Sequence, residues 1–250
     1  MDSGLYAAYT GLMARTQALD TTANNLANVG TNGFRAQHDY FQRMVAGNQA
    51  QESSSQISQS VNGFGILGGN HLDLSEGHLS PTGNPLDIAL QGDGFFGLQT
   101  SGGVVYTRNG NFSRSSAGTL QSARGEAVLD GKQQSITIPT GAIHIAADGT
   151  ISVSTPEGSA IVGTVGVFRF ADRESLTAVG GDRLAAGLGL QPTRGNATVV
   201  QGSVEGSNED SIHGTLQLVL VQRQAEMMQK ALSVFNNDFD KTAAEELSRV

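Results

Sequence analysis

The stretch Ala23–Arg35, ANNLANVGTNGFR, joins the end of an amphipathic helix to an amide-rich stop. Upstream of it Leu5, Leu12, Leu19 and Leu26 recur every seven residues, with Tyr9, Thr16 and Ala23 four residues after the first three. This spacing predicts a helix over 3–29, about 40 Å long, carrying a narrow apolar seam of the coiled-coil kind. Asn24, Asn25 and Asn28 crowd its last turns. There each Asn costs about half a kcal/mol against Ala unless its amide finds a backbone or side-chain partner. Gly30 is expected in the left-handed position that ends the helix, and Asn32-Gly33 in a turn before Phe34. The segment is a helix made to be packed against, with a polar hook at its end.

A second seam lies at the other end of the chain. Leu218, Val221, Ala225, Met228, Leu232, Phe235 and Phe239 follow alternating steps of 3 and 4. Leu220, Met227 and Val234 add a seven-residue series on a flanking face. Gln217, Gln222, Gln224, Gln229 and Lys230 occupy other positions and argue against burial of the whole helix in one protomer. A helix that shares its faces between an N-terminal partner and neighbouring subunits fits this pattern.

Between the helices the pattern changes to short apolar runs and turns. Candidate strands are Phe95–Gln99, Val104–Thr107, Ser135–Ile138, Ala142–Ile145, Ile151–Ser154 and Gly163–Phe170. Gly102-Gly103, Asn109-Gly110, Asp130-Gly131, Asp148-Gly149 and Gly180-Gly181 supply turns. The expected class is α+β: paired N- and C-terminal coiled-coil-type helices and a central all-β domain of short antiparallel strands. Residues 1–40 and 208–250 form the helical part, 80–193 the β domain, and 41–79 with 194–207 an extended connector. Its stretch 46–62, rich in Gln and Ser, has the composition of a flexible linker.

Composition bounds the function. There are 33 Gly, no Trp and no Cys, which suits many tight turns and excludes disulfides, thiolate chemistry and Cys-based metal sites. A net charge of −8 with no basic run speaks against nucleic acid. No run approaches the roughly 18 apolar residues of a membrane span. Met1-Asp2-Ser3 has no positive n-region, so no cleavable signal is expected.

Four further patches accompany the opening stretch in order: LDIALQGDGFF (Leu86–Phe96), YTRNGNF (Tyr106–Phe112), ADGTIS (Ala147–Ser152) and VVQGSVEGSN (Val199–Asn208). Together the five resemble the bacterial flagellar axial proteins, the rod and hook family. The resemblance implies a self-assembling subunit, exported unfolded through the flagellar type III apparatus and built into the periplasmic rod. Its implied partners are copies of itself and other rod proteins, with no cofactor and no metal. The connector would then order against neighbouring subunits. The implied assembly interface is Leu5, Leu12, Leu19, Leu26, Asn24, Asn25, Asn28 and Phe34 at one end. At the other it is Leu218, Val221, Ala225, Met228, Leu232, Phe235 and Phe239.

Other motifs carry less. Gly63-Phe64-Gly65-Ile66-Leu67-Gly68 matches G-x-G-x-x-G, but a Gln/Ser stretch precedes it where a dinucleotide site needs a strand. His38, His71, His78, His144 and His213 show no ligand spacing and read as surface or turn residues. Asn111-Phe112-Ser113 and Asn196-Ala197-Thr198 match the glycosylation sequon, a weak signal. Asp87, Asp93, Glu205 and Glu209 read as turn or cap residues, and Arg108 as one half of a buried ion pair. No convergent set of reactive residues supports an enzyme. A reading from another class is a secreted β-rich surface- or glycan-binding module, using Phe95, Phe96 and Tyr106 as exposed aromatics.

Overall fold

The computed structural model describes the backbone of residues 2–42, 66–156, 158–187 and 189–247. Leu5, Phe235 and Phe239 have side chains outside the described set, as does most of the G-x-G-x-x-G match. The chain divides into two units, residues 1–26, 37–71 and 211–250 in one and 27–36 and 72–210 in the other.

The first unit holds α1 (Asp2–Ala27), β1 (Gln37–Gln42), β2 (Ile66–Leu72) and α2 (Ser211–Leu247). In α1 the buried positions are Gly11, Ala14, Ala18, Thr21 and Asn25, again in steps of 3 and 4. Leu12, Leu19 and Leu26 are half-buried on the flank, while Tyr9, Thr16 and Ala23 are exposed. The inward stripe is therefore one of small residues, not the expected leucines. Small side chains let packed backbone approach more closely than leucines do. In α2, Val221, Ala225 and Leu232 are buried with Leu218 and Met228 half-buried, so the C-terminal seam does face inward. Its flanking series, Leu220, Met227 and Val234, stands 55–62% exposed.

The end of α1 holds β1 by two polar side chains. Asn25 Nδ2 donates to Gln37 O at 2.8 Å, and Gln37 N–H donates to Asn25 Oδ1 at 3.0 Å. One turn earlier the Thr21 hydroxyl stands against Asp39. Helix positions four apart are separated by about 6.0 Å and strand positions two apart by about 6.6 Å, so the two elements run in step. This is the partner that the Asn-rich turn requires. The left-handed residue, however, is Gly33 (φ 68°) and not Gly30, and the turn falls at Asn32-Gly33 as read.

The second unit is all-β, and its strand pairings are antiparallel. Its early strands are β3 (Leu79–Pro81), β4 (Ile88–Gln91), β5 (Phe95–Thr100), β6 (Gly103–Thr107), β7 (Phe112–Arg114), β8 (Leu120–Ser122) and β9 (Ala127–Val128). A hairpin sheet follows: β10 (Ala142–Ile145), β11 (Thr150–Thr155) and β12 (Gly158–Thr164). Then come β13 (Val167–Arg169), β14 (Leu176–Ala178), β15 (Arg183–Ala186), β16 (Thr193–Arg194), β17 (Thr198–Gln201) and β18 (Ser203–Glu205). The main nine-stranded sheet runs β14-β15-β6-β5-β9-β8-β7, with β13 joining β5 and β16. β17 pairs with β4 and β18 with β3, so the return segment is stitched to the entry of the body.

β5 separates two apolar cores. Adjacent residues on a strand point to opposite faces, and Phe96 enters a core with Ile88, Leu90 and Phe112 while Phe95 enters one with Tyr106, Phe168 and Phe170. Phe95, Phe96 and Tyr106 are thus 0–4% exposed and cannot present a glycan platform. A sheet covered on both faces buries consecutive aromatics, where a half-solvated one exposes alternate ones. Two expected strands also differ. Ser135–Ile138 makes only isolated bridges, Ser135 to Leu129 and Thr137 to Thr119. The run Gly163–Phe170 breaks after Thr164, because β12 belongs to the hairpin sheet and β13 to the main one.

Candidate functional site

Four of the five sequence patches meet in the β unit around one carboxylate. Glu205 ends β18 and is fully buried. Its Oε1 pairs with the Arg35 guanidinium and accepts Gly77 N–H at 2.9 Å, while its Oε2 lies 2.8 Å from Arg108 Nε. Arg35 and Arg108 are each 3% exposed. Arg108 also donates from Nη1 to the carbonyls of Gly92 and Gly94, both at 2.8 Å, and reaches Glu76 at 3.5 Å on the rim. A carboxylate between two guanidiniums keeps its charges satisfied only while all three are in place. Burial holds Arg35 below its usual value, Glu205 opposes that shift, and Arg108 adds to it by like-charge repulsion.

The backbone around this triad is equally constrained. Gly33 N–H donates to Glu205 O at 2.8 Å. A Cβ at Gly33 would lie 2.2 Å from Asn109 N, so this crossing admits only glycine. Gly110 is held as tightly, since a Cβ there would stand 1.6 Å from Ile88 O. Beside the triad, Ala36 N–H donates to Asn208 Oδ1, Asn208 Nδ2 to Asp73 O, and Asp73 N–H to Ala36 O, each at 2.8 Å. Three distant segments close a ring through one amide. The fifth patch joins through Val199 N–H, which donates to Ala147 O at 2.9 Å.

The expected residues distribute as follows. Phe34 is buried beside Arg35, and its carbonyl accepts from Asn208 N–H at 3.4 Å. Asn25 is buried on β1, Asn28 is half-buried and accepts the Thr31 hydroxyl at 3.2 Å, and Asn24 is exposed. The residues of the two helical seams lie on α1 and α2, apart from this cluster in the sequence. Arg108 is the buried ion-pair member anticipated, and its mate is Glu205. Glu205 is therefore no turn residue. Asp87 does hold a turn, accepting Thr82, Asn84 and Asn111 at 2.7–3.0 Å. Asp93 instead pairs with Arg169 at 2.9 Å and Arg173 at 3.4 Å. Arg35 and Asn208, though inside the quoted patches, were not singled out by the sequence; a charged or amide residue among glycines was the available signal.

What this arrangement does chemically is hold. The cavity over Arg35 and Arg108 is about 80 Å³, far below the roughly 300 Å³ at which small-molecule sites begin. Its polar atoms face one another across chain crossings. Fold and site define a structural protein whose β unit is locked at the crossings of its own chain. The chain belongs to the flagellar basal-body rod protein family. Residues 5–35 match the family model described as flagella basal body rod protein, and residues 89–153 the flagellar hook protein FlgE/F/G D1 domain. Over 90% of both chains it is 35% identical to the flagellar basal-body rod protein FlgF of Mesorhizobium japonicum. It is 34% identical to FlgF of Escherichia coli over 91% of this chain and 93% of that one. With FlgG of Bacillus subtilis it shares 31% identity over 88% and 89%. Among the described residues no helix is long and apolar enough to cross a membrane.

Proposed function

We propose that this chain is a structural subunit of the flagellar basal-body rod, of the FlgF type, and so a component of the proximal rod. The observation that carries this reading is the 35% identity to a FlgF protein across nine-tenths of both chains. The B. subtilis FlgG relative keeps a distal-rod role as the second reading. Assembly proceeds through the terminal helices. The inward stripes of α1 and α2 share one heptad spacing and pair with each other, and the exposed apolar residues of α2 meet neighbouring subunits. Ile212, Leu216 and Met227, each at least 59% exposed, are large apolar groups that water does not favour. The subunit reaches the periplasm through the flagellar export apparatus and assembles with copies of itself and other rod proteins.

Electron cryo-microscopy of basal bodies from the cells that make this chain tests the assignment. Density for the chain in the proximal rod is the expected result. Density confined to the distal rod transfers the chain to the FlgG type, and an intact rod without it overturns the proposal.

A further inference from the structure

β1 and β2 bring together two histidines that the sequence keeps far apart. The imidazole centroids of His38 and His71 lie 5.8 Å apart with their planes at 44°, and both side chains are exposed. Tyr40 sits beside His71 at 6.4 Å between centroids. Its ring covers the bare backbone of Gly69, where a Cβ would stand 3.1–3.3 Å from the phenol. An aromatic ring laid over a strand glycine in this way pins the local register. One face of the strand pair is thus His38 and Tyr40 against His71 and Gly69. From the other, Gln37 and Asp39 engage α1.

The spacing is one that two imidazoles sharing one ion can adopt. With metal–nitrogen bonds of about 2.0–2.1 Å and a tetrahedral angle, two ring centres stand about 5.2 Å apart, and about 6 Å if the angle opens. The observed 5.8 Å falls within that interval. We propose that His38 and His71 form a two-imidazole site for a late first-row divalent cation of the Zn²⁺ class, clipping β1 to β2. Imidazole is a preferred donor for such ions, and the chain has no cysteine to compete. Among the described residues no three His, Asp or Glu gather as ligands, so the two imidazoles are the protein donors the site shows. Such a site is weaker than a four-ligand structural zinc site. Because β1 and β2 flank residues 43–65, an ion across them fixes both ends of that segment.

The test is isothermal titration of ZnCl₂ into the full chain and into His38→Asn, His71→Asn and, as control, His144→Asn. Hydrogen exchange with and without Zn²⁺ accompanies it. Even loss of a group supporting a metal ligand weakens affinity about 10-fold to 100-fold. Each of the first two variants is therefore expected to bind at least about tenfold more weakly than the parent. The control should bind as the parent does, and Zn²⁺ should slow exchange in 37–42 and 68–72 of the parent and the control but not of the other two variants. Equal binding by all four proteins, no binding by the parent, or unchanged exchange in these strands overturns the proposal. Both histidines are exposed, so the variants keep the fold and their circular dichroism should match the parent's.

Discussion

At the scale of single residues, Glu205 holds two arginines that the body has removed from water. Taking away one member of a buried ion pair costs about 3–5 kcal/mol, because the remaining charge is left buried and uncompensated. Glu205→Gln keeps the shape and one hydrogen bond, so its expected loss in urea unfolding, followed by circular dichroism, is about 3 kcal/mol. A change below about 1 kcal/mol would show that the triad is only a surface-strength pair. Gly110→Ala drives a methyl into the Ile88 carbonyl and should leave the β unit unfolded or insoluble. Asp39 gives a pH-dependent case. Burial pushes its carboxyl above the usual 3.8, against the Thr21 hydrogen bond and the nearby His38 charge. The Thr21 hydroxyl also donates to Gln17 O at 3.1 Å, and one proton cannot serve both. A raised folded value means that β1 gains stability as pH falls through it, until the unfolded value near 3.8 is passed. Intrinsic-rate-corrected exchange of the β1 amides should therefore be slower at about pH 4, just above the unfolded value, than at about pH 7. Asp39→Asn should slow it at both and remove the difference.

At the scale of elements, Asn25→Ala removes both hydrogen bonds to Gln37, and β1 should loosen by about 1–2 kcal/mol in exchange experiments while β5 and β6 remain unchanged. α2 is expected to exchange rapidly in the dilute subunit and slowly in the rod. Its outer face carries apolar groups that only a neighbour can cover, and isolated helices are marginal in water. Strong protection of α2 in dilute monomer would contradict assembly-coupled ordering. What could be read beforehand follows the size of the side chains. The C-terminal seam was legible because Leu218, Val221, Met228 and Leu232 are large and evenly spaced. The inward stripe of α1 was not, because Gly11, Ala14 and Ala18 carry little hydropathy and the leucines beside them carry much. The hairpin of β10 and β11 was readable from alternation around Asp148-Gly149. Ser135–Ile138 has the same alternation, and only its surroundings decide that it bridges singly.

At the scale of the whole molecule, the chain was recognisable from its patches long before their meeting point could be seen. Arg35, Arg108 and Glu205 come from three of them, and pairing at such sequence separation leaves no trace in one sequence. The pairing of β17 with β4 and β18 with β3 is hidden for the same reason. Replacing Arg35, Arg108 and Glu205 together by Met, Leu and Met should destabilise the β unit less than Glu205→Gln does, because no charge is then left alone. Urea unfolding of both variants checks this. A triple variant less stable than the single one would mean that the charges do more than balance each other.

The ring through Asn208 has a mechanical consequence. The chain passes between its two units after Leu26, after Ala36, before Leu72 and after Asp210, and beside the last three of these crossings Ala36, Asp73 and Asn208 are bonded to one another within the β unit. A pull on any one of these segments is shared at once with the other two. Three backbones then bear tension in parallel, where a single tether would bear it in series and yield at its weakest bond.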